Sequence, residues 1–102
     1  MINGIVIENY NPEWVARFES LKAQIRPTVQ DWAVAIEHVG STSVPGLAAK
    51  PVIDMDIMVE DTKRLQHVIR ALESIRYIHR GNLGIEGREA FRVPEGSIKH
   101  NL

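Results

Sequence analysis

Residues 52–59 read VIDMDIMV, an apolar segment interrupted only by Asp54 and Asp56. The length of this segment and its apolar residues predict a buried strand. Side chains alternate faces along a strand, so both carboxylates leave the same face, with their Cα atoms about 6.6 Å apart. Two like charges in an apolar strand cost free energy unless something positive neutralises them. The segment therefore predicts a strand that offers two carboxylates to one cation.

The composition sets limits on the fold and excludes several classes of protein. With 102 residues, 44% of them hydrophobic, the chain is expected to form one domain with one core. Its 12 basic and 13 acidic residues leave a net charge of -1, which gives no global attraction to nucleic acid or to an anionic membrane. The absence of cysteine excludes disulfides, thiolate metal sites and cysteine nucleophiles. No apolar run approaches the ~20 residues of a membrane span and no signal peptide is recognisable, so a cytoplasmic protein is the default expectation.

A helix and a strand are predicted before the acidic segment. Asn11 suits the N-cap and Pro12 the first helical position. Pro27 should end or kink this helix, although a further turn could run on towards Asp31. Residues 32–39 predict a strand. Four apolar residues recur at helical steps on one face of the helix: Trp14, Phe18, Leu21 and Ile25.

A second helix and several short strands complete the pattern. Asp61 or Thr62 can cap a helix whose apolar spacing continues to Arg76. The predicted architecture is α/β (α+β), a mixed β-sheet with flanking helices. The remaining predicted strands are residues 2–8, 77–79, 90–93 and 97–102, with a glycine-rich turn between the second and third of these.

The loop between the two longer strands is rich in small residues and turn formers. Residues 40–51 read GSTSVPGLAAKP, and a loop of 12 residues in a compact domain is usually functional or contains a short helix. Gly40 lets a ligand approach the backbone, and the Ser41 hydroxyl with nearby N–H groups can bind phosphate oxygens. Opposite it, Asp54 and Asp56 could hold Mg²⁺, which suits phosphoryl or nucleotidyl transfer. The competing interpretations are an ordinary turn and a solvent-facing carboxylate pair.

The order of apolar residue, Gly and Ser, then 12 residues, then Asp-apolar-Asp resembles the signature of the polymerase β-like nucleotidyltransferase superfamily. More narrowly, residues 38–54, HVGSTSVPGLAAKPVID, resemble the hallmark of the GrpB family. The opening NPEW at 11–14 and the final KHNL at 99–102 are also similar to the family. The resemblance covers essentially all of residues 1–102, which we predict to be a single nucleotidyltransferase-like domain. Typical members continue for several tens of residues, so the chain resembles the N-terminal part of a member, as a truncation or a natural short form.

The resemblance implies a mixed-sheet core with Asp54 and Asp56 as metal-binding and catalytic residues and with Mg²⁺ or Mn²⁺ as cofactor. Gly40, Ser41 and Thr42 are the expected contacts for the phosphates of a nucleoside triphosphate. Two further residues are candidate contacts. Lys50 could reach a phosphate or neutralise the carboxylate pair, with a solvated surface lysine as the competing interpretation. His38, beside the Gly-Ser turn, is the one histidine expected near a ligand.

Catalysis in the superfamily usually needs a third carboxylate on a later strand. No Asp follows Asp61, and the nearby candidates are Glu86 and Glu89 in a predicted turn. Three hypotheses follow. The first is a Mg²⁺-dependent nucleotidyltransferase that uses a nucleoside triphosphate and an unknown acceptor. The second, favoured by the missing carboxylate, is a module of the same fold that binds a nucleotide or phosphorylated ligand without turnover. The third is an interaction domain that pairs through its sheet edge, for instance as a homodimer.

Overall fold

Two helices pack on one face of a small mixed sheet. The computed structural model describes residues 7–82, 88–94, 96 and 100–102. The elements in chain order are α1 (Glu13–Val29), β1 (Ala33–Val39), a 3₁₀ turn (Ser41–Ser43), β2 (Ile53–Val59), α2 (Thr62–Ser74), β3 (Ile78–His79), β4 (Phe91–Arg92) and β5 (His100–Asn101).

The main sheet has the order β1-β2-β5. β1 and β2 are antiparallel, whereas β2 and β5 are parallel, so the predicted mixed sheet is confirmed. The strand predicted for residues 97–102 is confirmed at His100 and Asn101, which pair with Ile53 and Asp54. Residues 97–99 lie outside the described residues. β3 and β4 lie within the strands predicted for residues 77–79 and 90–93, and they form a separate antiparallel pair.

The edge strand predicted for residues 2–8 lies largely outside the described residues. Its described end makes a single antiparallel bridge, in which Glu8 and Ala49 exchange two backbone hydrogen bonds of 2.9 Å. This bridge ties the start of the chain to the end of the long loop.

Helix α1 begins as predicted and continues further than the simplest expectation. The Asn11 side-chain oxygen accepts a hydrogen bond from the Glu13 N–H at 2.9 Å, and Pro12 already has helical dihedral angles. Of the alternatives for Pro27, the helix does not end there and the further turn is observed, since α1 runs on to Val29. Val29 is fully buried on the same face as Ile25, so packing offsets the hydrogen bond that proline cannot donate.

Helix α2 is capped at both ends. The Asp61 carboxylate accepts from the Arg64 N–H at 2.8 Å, which confirms the predicted N-cap. At the other end Arg76 takes a positive φ of 77°, and its N–H donates to Glu73 O while the Tyr77 N–H donates to Leu72 O, both at 3.1 Å. These two bonds form a Schellman cap in which arginine occupies the position that glycine usually takes.

The core lies between the helices and one face of the sheet. In β2, Ile53 and Met55 are buried on the helix side, whereas Asp54 and Asp56 are half-buried on the opposite side and Met58 is exposed. Among the described residues neither helix covers that opposite side of the sheet. No helix in the described part of the chain is long and apolar enough to cross a membrane.

Candidate functional site on the open face of the sheet

The open face of the sheet places the two aspartates side by side on β2. The burial pattern alternates along the strand, so Asp54 and Asp56 leave the same face, as the sequence predicts. In the register with β1, Glu37 lies directly opposite Asp56 and Val39 opposite Asp54. Residues directly opposite each other in an antiparallel pair share a face. We call the face that carries Glu37, Asp54, Asp56 and Asn101 the carboxylate face.

The turn after β1 is packed against the first aspartate. Gly40 has φ 72° and ψ -169°, a backbone region that is essentially restricted to glycine. A Cβ added to Gly40 would overlap the Asp54 carboxylate and would lie 3.1 Å from Asp54 Cβ. Only glycine therefore lets the turn approach Asp54 this closely. The structure thus brings together two of the residues that the sequence singled out.

Asp54 has a second neighbour from the adjacent strand β5. The Asn101 side-chain amide donates a hydrogen bond to Asp54 Oδ1 at 2.7 Å. Because β2 and β5 are parallel and in register here, Asn101 leaves the same face as Asp54. A neutral amide therefore orients the first carboxylate and adds no charge.

Asp56 is approached by the one arginine that contacts the carboxylate face within the described residues. The Arg88 guanidinium lies 3.4 Å from Asp56 Oδ1, and its side chain is 64% exposed. An exposed pair of this kind contributes only about 0–1 kcal/mol. Glu37, on the neighbouring strand, adds a further negative charge on this face. The face therefore keeps a local excess of negative charge, which a cation would relieve.

The 3₁₀ turn divides the predicted phosphate contacts into two groups. Ser41 is exposed at the start of the turn, whereas Thr42 is buried with 1% of its surface exposed. The Thr42 hydroxyl lies 2.9 Å from His38 Nε2 and donates to the Val52 carbonyl oxygen at 3.4 Å. The Thr42 side chain is thus buried, and its hydroxyl is hydrogen-bonded within the protein. Gly40 and Ser41 are the members of the predicted set that a ligand can reach.

His38 supports the turn from the helix side. Its strand partner is the buried Met55, and its ring stacks on Phe18 with 4.8 Å between the ring centroids. Burial lowers the pKa of His38 below its ordinary value, and the negative charges of Asp54 and Glu19 oppose this effect only in part. The predicted ligand contact by this side chain therefore has no counterpart in the geometry, since the ring faces the core.

Lys50 lies at the far end of the loop. It is exposed and follows Ala49, the residue bridged to Glu8. Its candidate role toward a phosphate stays a prediction.

The third carboxylate that members of the superfamily usually carry on a later strand has no counterpart among the described residues. Glu86 lies outside them, and the half-buried Glu89 is 3.4 Å from His79 in the separate β3–β4 pair. Beside Asp54, the neighbouring strand supplies Asn101. Sequence reasoning missed Asn101 and Glu37 because only the strand register brings them to this face. Alternation within residues 33–39 was the available signal for Glu37.

The donor set fits a hard divalent cation. No group of three or more His, Asp or Glu side chains converges to hold a metal within the part of the chain that the structure describes. Two carboxylates are nevertheless sufficient for Mg²⁺, which often completes its shell with water and substrate phosphates. The oxygen-only chemistry of Asp54 and Asp56 suits Mg²⁺ or Mn²⁺ better than zinc.

Comparison with known proteins gives a consistent result. The family model described as "GrpB protein" matches residues 4–102. The chain is 35% identical over 93 residues to the UPF0157 protein YqkA of Bacillus subtilis, covering 91% of this chain and 27% of that protein. It is 40% identical over 74 residues to the UPF0157 protein BH1888 of Halalkalibacterium halodurans, covering 72% of this chain and 38% of that one. The chain thus spans well under half the length of these relatives.

A solved structure supports the same assignment at the level of the fold. The crystal structure of the conserved protein GrpB from Enterococcus faecalis superposes with a TM-score of 0.80 at 33% sequence identity. The match covers 94% of this chain and 58% of the other.

Proposed function

The chain belongs to the GrpB family, and from the geometry of its carboxylate face we propose that it binds a nucleoside triphosphate with Mg²⁺ or Mn²⁺ and transfers a nucleotidyl group to an acceptor. One observation carries this proposal. Asp54 and Asp56 share one strand face, and the Gly40 turn is packed directly against the first of them. This arrangement sets a candidate phosphate-binding turn beside a pair of metal-binding carboxylates.

Each residue has a definite role in the proposal. Asp54 and Asp56 hold the metal ion, which would supply positive charge for the phosphate oxygens. Gly40 lets the turn lie against Asp54, which brings the exposed Ser41 close to the carboxylate pair, and the Ser41 hydroxyl can donate to a phosphate oxygen. Asn101 fixes the orientation of Asp54 through its 2.7 Å hydrogen bond. The fold thus provides positioning and charge, the two contributions on which phosphoryl transfer mainly depends.

A second candidate function is binding of the same ligand without turnover. Asn101 favours it, because a neutral amide occupies the place beside Asp54 on the next strand. An amide cannot accept a proton as a general base at neutral pH. In this alternative the domain is a metal-dependent nucleotide-binding module.

A thermal-melting series tests both candidates. Millimolar Mg²⁺ or Mn²⁺ with a nucleoside triphosphate should raise the melting temperature, since a ligand at 100 times its Kd stabilises the folded state by about 2.7 kcal/mol. The double variant Asp54→Asn/Asp56→Asn should lose this response and keep its fold without metal, because it also loses the repulsion between like charges. The variant Asp31→Asn/Glu73→Gln removes the same charge from exposed positions elsewhere and should respond like the natural chain.

The outcomes separate the hypotheses. Pyrophosphate release that depends on Asp54 and Asp56 supports the transferase. Stabilisation without pyrophosphate release selects the binding module. A melting temperature that does not change when metal and nucleotide are added contradicts the site assignment. So does a ligand-induced rise in melting temperature that is lost equally in both double variants.

A further inference from the structure

A groove separates helix α1 from the outer edge of β1. Its wall on the helix side is formed by Lys22, Arg26 and Gln30, and its wall on the strand side by residues 33–37. The groove encloses about 300 Å³. We call it the α1–β1 groove; it shares only Glu37 with the carboxylate face.

Two cations in the groove have no carboxylate partner among the described residues, although the Lys22 ammonium lies 5.9 Å from the centroid of the Phe18 ring. Lys22 and Arg26 are one helical turn apart, and no carboxylate of the described residues lies within 4.0 Å of either. Like charges at this spacing are mildly destabilising. Arg17, earlier in the same helix, is paired with Glu13 at 3.5 Å. The lining of the groove therefore carries two cations on the helix side and one carboxylate, Glu37, on the strand side.

The strand side of the groove is a sheet edge. β1 is an outer strand of the described β1-β2-β5 sheet, so alternate backbone N–H and C=O groups point away from β2. A bulge lies between Ala33 and Ala35, after which pairing with β2 is regular to Val39. The bulge residue Val34 is 61% exposed and adds an apolar contact next to the edge. No strand within the described residues pairs with this edge, so the edge can accept an extended strand.

The spacing of the two cations matches such a strand. Residues four apart in an α-helix are separated by about 6 Å along its axis. Alternate residues in a strand are about 6.6 Å apart and point to the same side. Two acidic residues at alternate positions could therefore meet Lys22 and Arg26 together.

We propose that the α1–β1 groove binds an extended acidic segment of another protein, which adds a strand to β1 and places alternate carboxylates against Lys22 and Arg26. A second copy of this chain fits less well. Pairing of β1 with its own copy about a two-fold axis would bring both α1 helices to the same side, with four cations facing one another. A nucleic acid strand would satisfy the charges but could not continue the backbone hydrogen bonding of the sheet.

Two synthetic peptides test the proposal on the ¹⁵N-labelled chain without metal or nucleotide. The acidic probe is acetyl-GTEVEVTG-amide and the basic probe is acetyl-GTKVKVTG-amide. The acidic probe should shift the backbone amide signals of residues 33–37 and bind more tightly than the basic probe. The variant Lys22→Glu/Arg26→Glu should lower the affinity for the acidic probe by about tenfold and bind the basic probe more tightly than the acidic one.

A matched control and three contrary outcomes make the test decisive. Lys63→Glu/Arg70→Glu makes the same charge change at exposed positions of α2 and should keep the preference for the acidic probe. An equal effect of this control variant would show general charge attraction and overturn the proposal. Shifts confined to the carboxylate face, or β1 shifts that depend on protein concentration without a probe, would also overturn it. Because metal and nucleotide are absent, these results are independent of the proposed catalytic site.

Discussion

Replacing Gly40 with alanine should disturb the carboxylate face more than the same change at any other described glycine. The backbone of Gly40, with φ 72° and ψ -169°, costs a residue with a Cβ about 1–3 kcal/mol. The new methyl group would also overlap the Asp54 carboxylate. Either the turn shifts or Asp54 rotates away from its hydrogen bond with Asn101. A total loss of about 2–4 kcal/mol is expected from these two contributions, because a charged hydrogen bond contributes about 1.5–3 kcal/mol when buried and less when exposed.

Gly46 provides the matched control. Its φ is 82°, and a Cβ added there meets no atom within 4 Å. Gly46→Ala should therefore cost only the backbone contribution, about 1–2 kcal/mol. In the Asp54→Ala background, Gly40→Ala should cost less than in the natural chain, because the overlapping carboxylate is gone. Residues in direct contact typically couple by about 0.5–3 kcal/mol.

Urea denaturation measures all of these changes as shifts in the midpoint urea concentration, with an unchanged dependence of the free energy of unfolding on urea. Equal destabilisation by Gly40→Ala and Gly46→Ala would show that the overlap with Asp54 is not significant. Additive effects of Gly40→Ala and Asp54→Ala would refute the contact itself.

Three further predictions concern single side chains. Arg76→Gly should stabilise the chain by about 0.5–1 kcal/mol, because the left-handed φ of 77° strains any residue except glycine. Urea denaturation measures this change, and destabilisation would contradict the Schellman cap. Burial raises the pKa of Tyr77 to about 12 from its ordinary value near 10. The contribution of the neutral Tyr77 to the free energy of unfolding is therefore complete below about pH 10 and falls by on the order of 2–3 kcal/mol as the pH rises towards 12. In urea denaturation at increasing pH, Tyr77→Phe should remove this alkaline loss of stability, whereas Tyr10→Phe should keep it. Arg88→Gln should strengthen the binding of Mn²⁺ in the absence of nucleotide by less than about tenfold, because the exposed ion pair between Arg88 and Asp56 competes with the metal. Calorimetry measures the affinity, and weaker Mn²⁺ binding would contradict that competition.

The elements that the sequence predicted well are those with a strong local signal. The alternation around Asp54 and Asp56, the Asn11 start of α1 and the Asp61 cap of α2 each depend on residues within a few positions. Local sequence preferences predict less well where tertiary packing determines the end of an element. Pro27 is an unfavourable helix residue, and the helix continues through it because burial of Val29 outweighs the lost hydrogen bond.

The surroundings of the site could be predicted only in part. The contact between Gly40 and Asp54 follows from a turn and a strand that the sequence already indicated. The roles of Glu37 and Asn101 depend on strand register, and register is a long-range property. Thr42 shows the same limit. A polar residue in a small-residue loop resembles a ligand contact until the fold places its hydroxyl next to His38.

The contacts of the two aspartates explain why metal binding and folding should be separable in this chain. Asp54 accepts a hydrogen bond from Asn101, and Asp56 lies beside Arg88 with 38% of its side chain exposed. Both carboxylates are thus solvated or partly compensated without a cation, so we expect the chain to fold without one, unlike small domains that are unfolded until they bind zinc. The core is built from the other face of β2, through Ile53 and Met55. Substitutions on the carboxylate face can therefore change ligand binding while the helices stay packed, so a lost metal response in the double asparagine variant would report on the site itself.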